Sequence, residues 1–412
     1  MVRVLGGFQT DFARNWTREG KHIVAPMKEA GHGALAATKM DPADIDTIHV
    51  GNFAAELYSM QGHLGALALE IDPAFRGKPT GRHEAACASG GIALLAATAE
   101  IEAGRYQNAL IVGVEQMKTV NAAQGGDYLG TASWYEREAK GKDFPFPRLF
   151  GQLGAEYVRR FDIPMEDYMN YQAYLSALMY KNARRNPNAQ TREWAMDQAQ
   201  ARSEDKFNMR ISPEIKLSDC SQVTDGAVGL VLASEEYAAK YARKHGISLA
   251  SIPSVLGWGH TTAPIQLTDK LAESRSNEYV LPHARRAITS AYARAGIQGP
   301  EQLDAYEFHD CFTTTAYSSV DLVGLTKPGE NQKAIEGGWL EMDGKLPLNP
   351  SGGLIGTGHP VGATGVRQLL DAYKLTTGQA GDYQVDRKNN KVLTVNIGGS
   401  GTTTVSFVVG LK

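Results

Sequence analysis

The chain has 412 residues, and its 42 Lys and Arg residues against 45 Asp and Glu residues leave a formal net charge of -3. This balance argues against a nucleic-acid-binding protein, because neutralising phosphates requires a basic excess or a basic stripe. No apolar run reaches the length of a membrane span, and the N-terminal residues lack the pattern of a secretory signal. Three widely spaced cysteines argue against a disulfide framework or a zinc ribbon and predict a cytoplasmic location.

Residues 1–118 alternate strand-like with helix-like segments, and this alternation predicts an α/β fold on a mostly parallel sheet. The predicted strands span residues 2–6, 47–53, 83–86 and 109–114, and the predicted helices span residues 25–39, 61–69 and 88–103. The segment 83–114 then forms one strand–helix–strand unit. Cys87 is therefore expected beyond the carboxyl end of a strand, where open α/β sheets present ligand-binding groups.

Residues 119–221 are richer in Tyr, Arg, Asn and Gln, and we expect them to form an insertion lying over the sheet. Helices are predicted in this segment at 151–161 and 165–183, and a strand at 227–233 returns the chain to the sheet. The basic pair Arg184 and Arg185 is suited to contact the phosphates of a nucleotide-bearing substrate, although a solvated helix face explains either charge more simply. Cys220, in the turn before the returning strand, is expected to be structural.

The last third of the chain repeats the strand-to-helix pattern of the first. The predicted helices span residues 281–296 and 312–323, and the predicted strands span residues 305–308, 392–396 and 403–409. His309 and Cys311 lie at one strand-to-helix joint. The Gly-rich segment 349–365 opens a further helix and carries His359, but it lacks the Gly-Lys-Ser/Thr ending of a P-loop and the spacing of a dinucleotide fingerprint. The bare loop 397–401 is suited to supply N–H donors to an oxyanion.

Cys87 lies where an apolar helix begins, and the unpaired N–H groups and positive dipole end of such a helix lower the pKa of a nearby thiol. Gly90 and Gly91 leave space there for a substrate carbonyl. The sequence thus predicts a nucleophile with a lowered pKa, while a buried structural cysteine stays open as the alternative. A nucleophilic thiolate also needs a base and oxyanion donors, which His359 and the glycine loops supply. A second thiol at Cys311 suits the protonation of a carbanion or enolate.

Five segments resemble thiolase-superfamily motifs in their usual order along the chain. They are CASGG at 87–91, HDCF at 309–312, NPSGG at 349–353, GHPVGATG at 358–365 and IGGSG at 397–401. The turn VTDGAVGLVL at 223–232 resembles another landmark of the family, so the resemblance covers essentially the full chain. HDCF stands in place of the Asn-Glu-Ala-Phe motif, and Asn396 stands where many thiolases carry a second cysteine. This departure is similar to the sterol-carrier-protein-2-type thiolases.

The resemblance implies an α/β thiolase fold in which two similar halves form a five-layered α-β-α-β-α sandwich, with the active site between the halves. Residues 1–118 plus about 222–268 would form the N-terminal half, and residues 269–412 the C-terminal half. Residues 119–221 would form an inserted loop domain that binds substrate and CoA. A homodimer or a dimer of dimers is also implied.

The resemblance further implies roles for four side chains. Cys87 would accept the acyl group, and His359 would activate it as a base. Cys311 would act as the acid/base toward the enolate. His309 would line one oxyanion hole together with His359.

The implied reaction is the reversible Claisen cleavage or condensation of a 3-oxoacyl-CoA with CoA. Backbone N–H groups of Cys87 and of Gly398 or Gly399 would form the second oxyanion hole. CoA would be a substrate rather than a bound cofactor, and no metal would be needed. The sequence does not determine the acyl group, and Trp134 and Phe150 are the aromatic candidates for its pocket.

Three other functions are compatible with the same motifs. The first is a thiolase-like acyltransferase or aldolase subunit that works with a small OB-fold or zinc-ribbon partner. The second is a condensing enzyme of the ketosynthase kind, which is less favoured because such enzymes lack a second thiol. The third is a non-catalytic lipid-binding protein.

Overall fold

The computed structural model describes residues 1–411, whose strands and helices alternate along much of the chain. The strands are β1 (Val2–Gln9), β2 (Thr47–Gly51), β3 (Thr80–His83), β4 (Asn108–Glu115), β5 (Arg210–Ser212), β6 (Ile215–Lys216), β7 (Gly226–Ser234), β8 (Ser254–Thr262), β9 (Ala305–Phe308), β10 (Lys391–Gly398) and β11 (Thr403–Gly410). The helices are α1 (Val24–Thr38), α2 (Ala55–Tyr58), α3 (Leu64–Leu67), α4 (Ser89–Glu102), α5 (Ala122–Gly130), α6 (Pro145–Phe161), α7 (Met165–Ala183), α8 (Gln198–Arg202), α9 (Glu235–His245), α10 (Leu267–Ser274), α11 (Pro282–Ala295), α12 (Thr313–Leu322), α13 (Gln332–Glu336), α14 (Gly353–Thr357) and α15 (Thr364–Thr377).

Most of the predicted elements are confirmed, and two short ones are wrong. The strand predicted at 83–86 instead spans Thr80–His83, and Ala86 has a positive φ of 52° that is incompatible with a strand. The helix predicted at 61–69 shrinks to α3 followed by a short 3₁₀ turn. His63, at φ 53°, has left-handed backbone geometry, so a helix cannot run through this residue.

The main sheet has nine strands in the order β3-β2-β4-β7-β1-β8-β11-β10-β9. Only the β2/β3, β2/β4 and β9/β10 pairs are parallel, so the expectation of a mostly parallel sheet is wrong. The tight connection between β10 and β11 leaves no room for a crossover, and the two strands must therefore pair antiparallel. β1 and β8 join the two halves of the sheet through a single pair, Arg3 with Ser254.

The two halves of the sheet repeat one topology. The order β2-β4-β7-β1 corresponds to β9-β10-β11-β8, and an isolated parallel bridge between Tyr306 and Leu348 stands where β3 pairs with β2. In this correspondence α1 matches α11, and α4 matches α15. Cys87 and His359 therefore precede equivalent helices, one in each half.

The equivalent helices α4 and α15 form an inner layer between the two halves of the sheet. Leu94 of α4 and Leu369 of α15 belong to one buried apolar cluster that also contains Val228 of β7 and Val405 of β11. Helix α1 covers the outer face of β1 and β7, and α11 covers the outer face of β8 and β11. This packing gives the α-β-α-β-α order, and each fully buried Leu or Val in it contributes roughly 1.5–3 kcal/mol.

Glycines allow α4 to approach α15 closely. A Cβ atom on Gly90 would lie 3.0 Å from the backbone nitrogen of Val366 in α15, and one on Gly91 would lie 2.9 Å from Asn396 Oδ1 in β10. The space that the sequence assigned to a substrate carbonyl is thus occupied by the protein itself, and that interpretation of the two glycines is wrong. The close contact instead brings the loops that carry Cys87 and His359 together.

Residues 116–225 connect β4 to β7 and carry α5 to α8 and the hairpin β5–β6 outside the main sheet. Helices α6 and α7 pack on α12, the helix that follows His309 and Cys311. The boundaries of an independent loop domain at 119–221 stay a prediction. Across residues 1–411, none of the helices has the length and apolar character needed to cross a lipid bilayer.

Candidate active site

Cys87 lies in a tight turn between β3 and α4. The left-handed backbone of Ala86 reverses the chain just before the cysteine. Ser89 stabilises this turn, since its Oγ donates to the Ala86 carbonyl at 2.6 Å and accepts the Ala85 N–H at 3.0 Å. The turn presents Cys87 just ahead of the first residue of α4, close to where the sequence predicted it.

Cys87 is only 9% exposed and belongs to a cluster of buried, mostly apolar side chains. They include Phe53, Tyr58, Met117 and Val361, with Leu129 and Ala132 at the margin. The sequence did not predict this apolar cluster around Cys87. Phe53 and Met117 lie two residues after the ends of β2 and β4. That position, where α/β sheets commonly contact ligands, was the available signal.

Burial dominates the ionisation of this thiol. It raises the pKa of Cys87 to about 12, and a hydrogen bond from the Gly399 backbone N–H opposes the shift. The lowered pKa predicted from the sequence is therefore wrong for the free protein, because desolvation of a thiolate outweighs the effect of the helix end. Cys87 rests as a neutral thiol and needs a base to become a nucleophile.

His359 lies between α14 and α15, with its ring buried. Its backbone N–H donates to Thr224 Oγ1 at 2.9 Å, and its ring Nδ1 lies 2.6 Å from Thr364 Oγ1. Burial, together with the nearby Arg367 guanidinium, lowers the pKa of His359 to about 3. The ring is therefore neutral, which is the form that accepts a proton from a thiol.

His309 follows β9, and its ring meets that of His359 edge-to-face with 5.1 Å between the ring centroids. Burial, followed by the neighbouring His359 and Arg367, lowers the pKa of His309 well below its usual range. Its Nδ1 lies 3.3 Å from Asn396 Nδ2. Asn396 is thus a neighbour of the site, which the sequence singled out only as a departure from other thiolases.

The Cys87 sulfur and one ring nitrogen of each histidine all lie within 4.8 Å of one another. Because each Nδ1 is engaged elsewhere, Nε2 is the atom that each ring offers, and neither Nε2 has a protein partner. Within residues 1–411 this is the one cluster of three such donor side chains. A thiol and imidazoles are donors that Zn²⁺ accepts, and they are equally the parts of a cysteine-based acyl-transfer site.

Cys311 lies two residues after His309 and is also buried. Its backbone carbonyl accepts the Ser221 N–H at 2.9 Å, which fixes the loop next to the segment leading into β7. Burial, followed by the neighbouring Cys87, raises the pKa of Cys311 well above its usual range. The thiol therefore keeps its proton and is able to act as an acid.

The glycine loop after β10 faces Cys87, as the sequence predicted. Of the two candidate donors, Gly399 directs its N–H to the sulfur, whereas Gly398 packs so closely against the Ala85 carbonyl that a side chain would collide with it. The buried ammonium of Lys270 holds this loop, donating to the carbonyl and the hydroxyl of Ser400 at 3.0 and 2.7 Å. Sequence reasoning missed Lys270, because a single lysine in an amphipathic helix carries no such signal.

Arg184 and Arg185 lie apart from the cluster, in a cleft of about 740 Å³ formed by α7, α8 and Glu341. Lys181 and Tyr174 also line this cleft, and none of the four candidate catalytic side chains does. Arg185 donates to Asn182 Oδ1 at 3.1 Å. Arg184 and Arg185 thus line the same cleft. Their contact with substrate stays a prediction.

The two aromatic candidates for the acyl pocket differ in position. Phe150 is fully buried and stacks on Phe312 with 4.6 Å between the ring centroids, so it supports the loop that carries Cys311 from behind. Trp134 is 40% exposed, and its ring is covered by the Arg137 guanidinium at 3.8 Å. Neither ring belongs to the apolar cluster around Cys87.

The fold and the cluster together define a class of protein. It is an α/β protein of two similar halves, in which a thiol and two imidazoles meet where equivalent helices begin. Residues 2–236 match the family described as "Thiolase, N-terminal domain", and residues 266–411 match "Thiolase C-terminal domain-like". The chain belongs to the thiolase family.

Similar proteins agree with this assignment. An acetyl-CoA acetyltransferase of Methanothermobacter thermautotrophicus is 31% identical over 410 residues, which cover 98% of this chain and 97% of the relative. Sterol carrier protein 2 of Rattus norvegicus is 26% identical over 93% of this chain and 67% of the relative. A solved Ltp2-ChsH2(DUF35) aldolase shares the fold with a TM-score of 0.77 at 19% identity, covering 100% of this chain and 97% of that chain. The chain is an acyltransferase of the thiolase type.

Proposed function

We propose that this chain catalyses the reversible Claisen cleavage and condensation of a 3-oxoacyl-CoA with CoA, through an acyl group carried on Cys87. The observation that supports this most strongly is the meeting of the Cys87 sulfur with a ring nitrogen of both His309 and His359 within 4.8 Å. A buried thiol, a neutral base and a second free imidazole are the parts that carbon–carbon cleavage at a thioester requires.

The first step forms the acyl-enzyme. His359 Nε2 takes the Cys87 proton while the sulfur attacks the 3-keto carbon, and the Gly399 N–H stabilises the oxyanion that forms. The bond between the second and third carbons then breaks. Its electron pair leaves with the acetyl-CoA fragment as an enolate.

The second step concerns the enolate and the release of products. His309 Nε2 stabilises the enolate oxygen, and the Cys311 thiol donates its proton to the enolate carbon to give acetyl-CoA. Free CoA then passes its thiol proton to the Cys311 thiolate and attacks the acyl group. Cys87 leaves and recovers its proton from His359, so all protons balance.

Acetoacetyl-CoA and CoA provide the test of this mechanism. The isolated chain is expected to produce acetyl-CoA, and mass spectrometry is expected to find an acetyl group on Cys87 during turnover. Cys87→Ala is expected to abolish both. Cys220→Ala removes another buried thiol, whose Sγ lies 3.4 Å from the Lys216 carbonyl, and is expected to retain both. Turnover without acetylated Cys87 would contradict the proposal.

Cys311→Ala separates the two halves of the mechanism. It is expected to slow carbon–carbon bond exchange by roughly 10² to 10⁴, the contribution of a general acid, and to slow acylation of Cys87 much less. Deuterium exchange at the methyl group of acetyl-CoA reports the enolate step, and mass spectrometry reports acylation. Equal loss of both activities would mean that Cys311 has a structural role.

A partner-dependent acyltransferase or aldolase is the second candidate, because the similar solved structure is itself described as an aldolase with a DUF35 component. In that case the isolated chain would be inactive toward acetoacetyl-CoA, and a small OB-fold or zinc-ribbon protein would restore activity. A non-catalytic lipid-binding protein would instead keep its ligand binding in Cys87→Ala.

CoA as substrate, its contact with Arg184 and Arg185, and the absence of a bound cofactor are further parts of the proposal. So are the homodimer and the cytoplasmic location. Light scattering of the purified chain tests the oligomeric state. Titration of CoA against Arg184→Ala and Arg185→Ala tests the basic pair, with a raised KM and an unchanged kcat as the expected result.

A further inference from the structure

The side-chain amide of Asn396 is held in one orientation by backbone groups. Its Nδ2 donates to the Cys87 carbonyl at 3.0 Å, and its Oδ1 accepts the Gly91 N–H at 3.2 Å. A carbonyl only accepts and an amide N–H only donates, so the nitrogen and oxygen of Asn396 cannot exchange places without losing both bonds.

This orientation leaves a second N–H of Asn396 directed at His309. The distance from Nδ2 to His309 Nδ1 is 3.3 Å. Two N–H groups cannot face each other across a hydrogen bond, so Nδ1 of His309 must carry the lone pair. The proton of the neutral ring therefore lies on Nε2, which is buried and has no hydrogen-bond partner within residues 1–411.

His359 has a different kind of partner. Its Nδ1 lies 2.6 Å from the Thr364 hydroxyl, which also lies 3.3 Å from the Pro360 carbonyl. When the hydroxyl donates to that carbonyl, it accepts from Nδ1–H and leaves Nε2 of His359 free to take a proton. A hydroxyl can donate or accept, so it serves His359 both before and after protonation, whereas the amide beside His309 can only donate.

We propose that Asn396 is a positioning residue that locks His309 as a hydrogen-bond donor at Nε2, so that the two histidines of the site have opposite roles. His359 offers a lone pair for the Cys87 proton, and His309 offers an N–H for the enolate oxygen. The orientation of the His309 ring follows from the hydrogen bonds alone. Its use in catalysis rests on the proposed function. This orientation also disfavours Zn²⁺ at the cluster, because a metal would need the lone pair on His309 Nε2.

The identity of residue 396 also bears on the role of Cys311. The amide occupies the site at which many thiolases carry their second cysteine. It cannot exchange protons with an enolate, so the acid must come from elsewhere, and Cys311 provides a buried thiol in the loop that carries His309. A cysteine at 396 would be a weak donor and acceptor and would leave the His309 tautomer undetermined.

Histidine-selective ¹⁵N NMR of the unmodified protein tests the lock directly, because protonated and unprotonated ring nitrogens have well-separated shifts. The His309 signals are assigned by their loss in His309→Gln. We expect a neutral ring protonated at Nε2. A ring protonated at Nδ1 overturns the proposal, and this measurement needs no catalytic activity.

Asn396→Asp is the decisive variant, because it keeps the shape of the side chain but places an acceptor beside Nδ1. The proton is expected to move to Nδ1, since an acceptor draws it there. Exchange of acetyl-CoA methyl protons is expected to fall by roughly 10² to 10³, the effect of removing one oxyanion donor, while acylation of Cys87 falls less. A His309 ring that stays neutral and keeps its proton on Nε2 in this variant overturns the proposal.

Asn186→Asp is the matched control. Asn186 is buried, its Nδ2 donates to the Ser351 carbonyl at 3.0 Å, and its Oδ1 accepts the Asn188 N–H at 3.0 Å, with no histidine beside it. It is expected to change neither the His309 tautomer nor the ratio of exchange to acylation. Should Asn396→Asp fail to fold, Asn396→Ala replaces it, and proton occupancy at His309 Nε2 is expected to fall. An unchanged occupancy there would contradict the lock.

The outcomes separate this inference from the proposed function. An Nε2-protonated His309 in a chain that never acetylates Cys87 would support the lock and refute the thiolase mechanism. An active thiolase with His309 protonated at Nδ1 would refute the role of Asn396 and support the thiolase mechanism.

Discussion

A thiol that resists losing its proton lies next to an imidazole that resists gaining one. Burial raises the pKa of Cys87 to about 12 and lowers the pKa of His359 to about 3, so the resting pair is neutral. Forming a thiolate–imidazolium pair would require charges to be held in the same apolar surroundings. We therefore expect proton transfer to accompany attack on the substrate, when the Gly399 N–H receives the developing charge.

Alkylation by iodoacetamide measures this property. Because only the thiolate reacts and its fraction is small below the raised pKa, the rate at Cys87 is expected to increase about tenfold per pH unit from neutral pH upward. At neutral pH it is expected to be slower than the rate for free cysteine under the same conditions. Mass spectrometry follows the reaction, and Cys87→Ala identifies the modified site. A rate that is already constant around neutral pH would show a resting ion pair instead.

Among the elements, the loop between β10 and β11 depends most on a distant residue. Lys270 of α10 is buried, and its ammonium donates to Ser400 and, at 3.1 Å, to the Ile265 carbonyl. Burial lowers the pKa of Lys270 to about 7, although the neighbouring Glu138 opposes the shift. The protonated amine has one N–H for each of these three oxygens, whereas the neutral amine has only two, so the loop is held most firmly below the pKa of Lys270.

Lys270→Met is expected to loosen this loop. It removes all three hydrogen bonds and leaves buried carbonyls unpaired, which is expected to destabilise the protein by about 1–3 kcal/mol. Acylation of Cys87 is expected to slow by up to roughly 10², because the Gly399 N–H is no longer held toward the sulfur. Stopped-flow acylation and urea unfolding measure the two effects.

Lys240→Met provides the comparison for Lys270→Met. Lys240 forms an exposed pair with Glu236 on α9, and its loss is expected to change stability by no more than about 0.5 kcal/mol. Equal acylation rates in Lys270→Met and Lys240→Met would show that the loop holds its position without the buried ammonium.

Across the whole molecule, Glu115 connects the two halves. Its Oε2 accepts the N–H of Phe53 at 2.9 Å and that of Gly362 at 3.0 Å, one from the loop after β2 and one from the loop before α15. The Asn52 amide donates to Oε1 at 2.8 Å. Burial nevertheless raises the pKa of Glu115 to about 7. The halves thus meet around a carboxyl group that gains its proton near neutrality.

This raised pKa makes stability depend on pH with a definite sign. The folded state holds the Glu115 proton more tightly than the unfolded state, so its contribution is fully present below the usual pKa of 4.5 and is lost as pH rises through about 7. The stability of the native protein relative to Glu115→Gln is therefore expected to fall over that range, as measured by urea unfolding at several pH values. A constant or rising difference would contradict the assignment.

Glu236→Gln provides a control of opposite sign for Glu115→Gln. Its hydrogen bond to Lys240 lowers the pKa of Glu236. Any contribution of this exposed carboxylate is therefore present above the usual pKa and is lost as pH falls.

The sequence by itself determined most of the elements and the positions of the candidate catalytic side chains. Periodicity, glycines and strand-to-helix joints are local features, and they placed Cys87, His309 and His359 at the starts of loops that the structure brings together. The motif order also predicted the thiolase family, which the matches at both ends of the chain confirm.

Only the tertiary structure decided how these side chains are charged and which atoms they offer. The raised pKa of Cys87 depends on desolvation by residues such as Phe53 and Met117, which are distant from it along the chain. The orientation of His309 depends on Asn396, which lies 87 residues further along the chain. Desolvation and hydrogen-bond direction are set by atoms that folding brings into contact, and no local pattern encodes them.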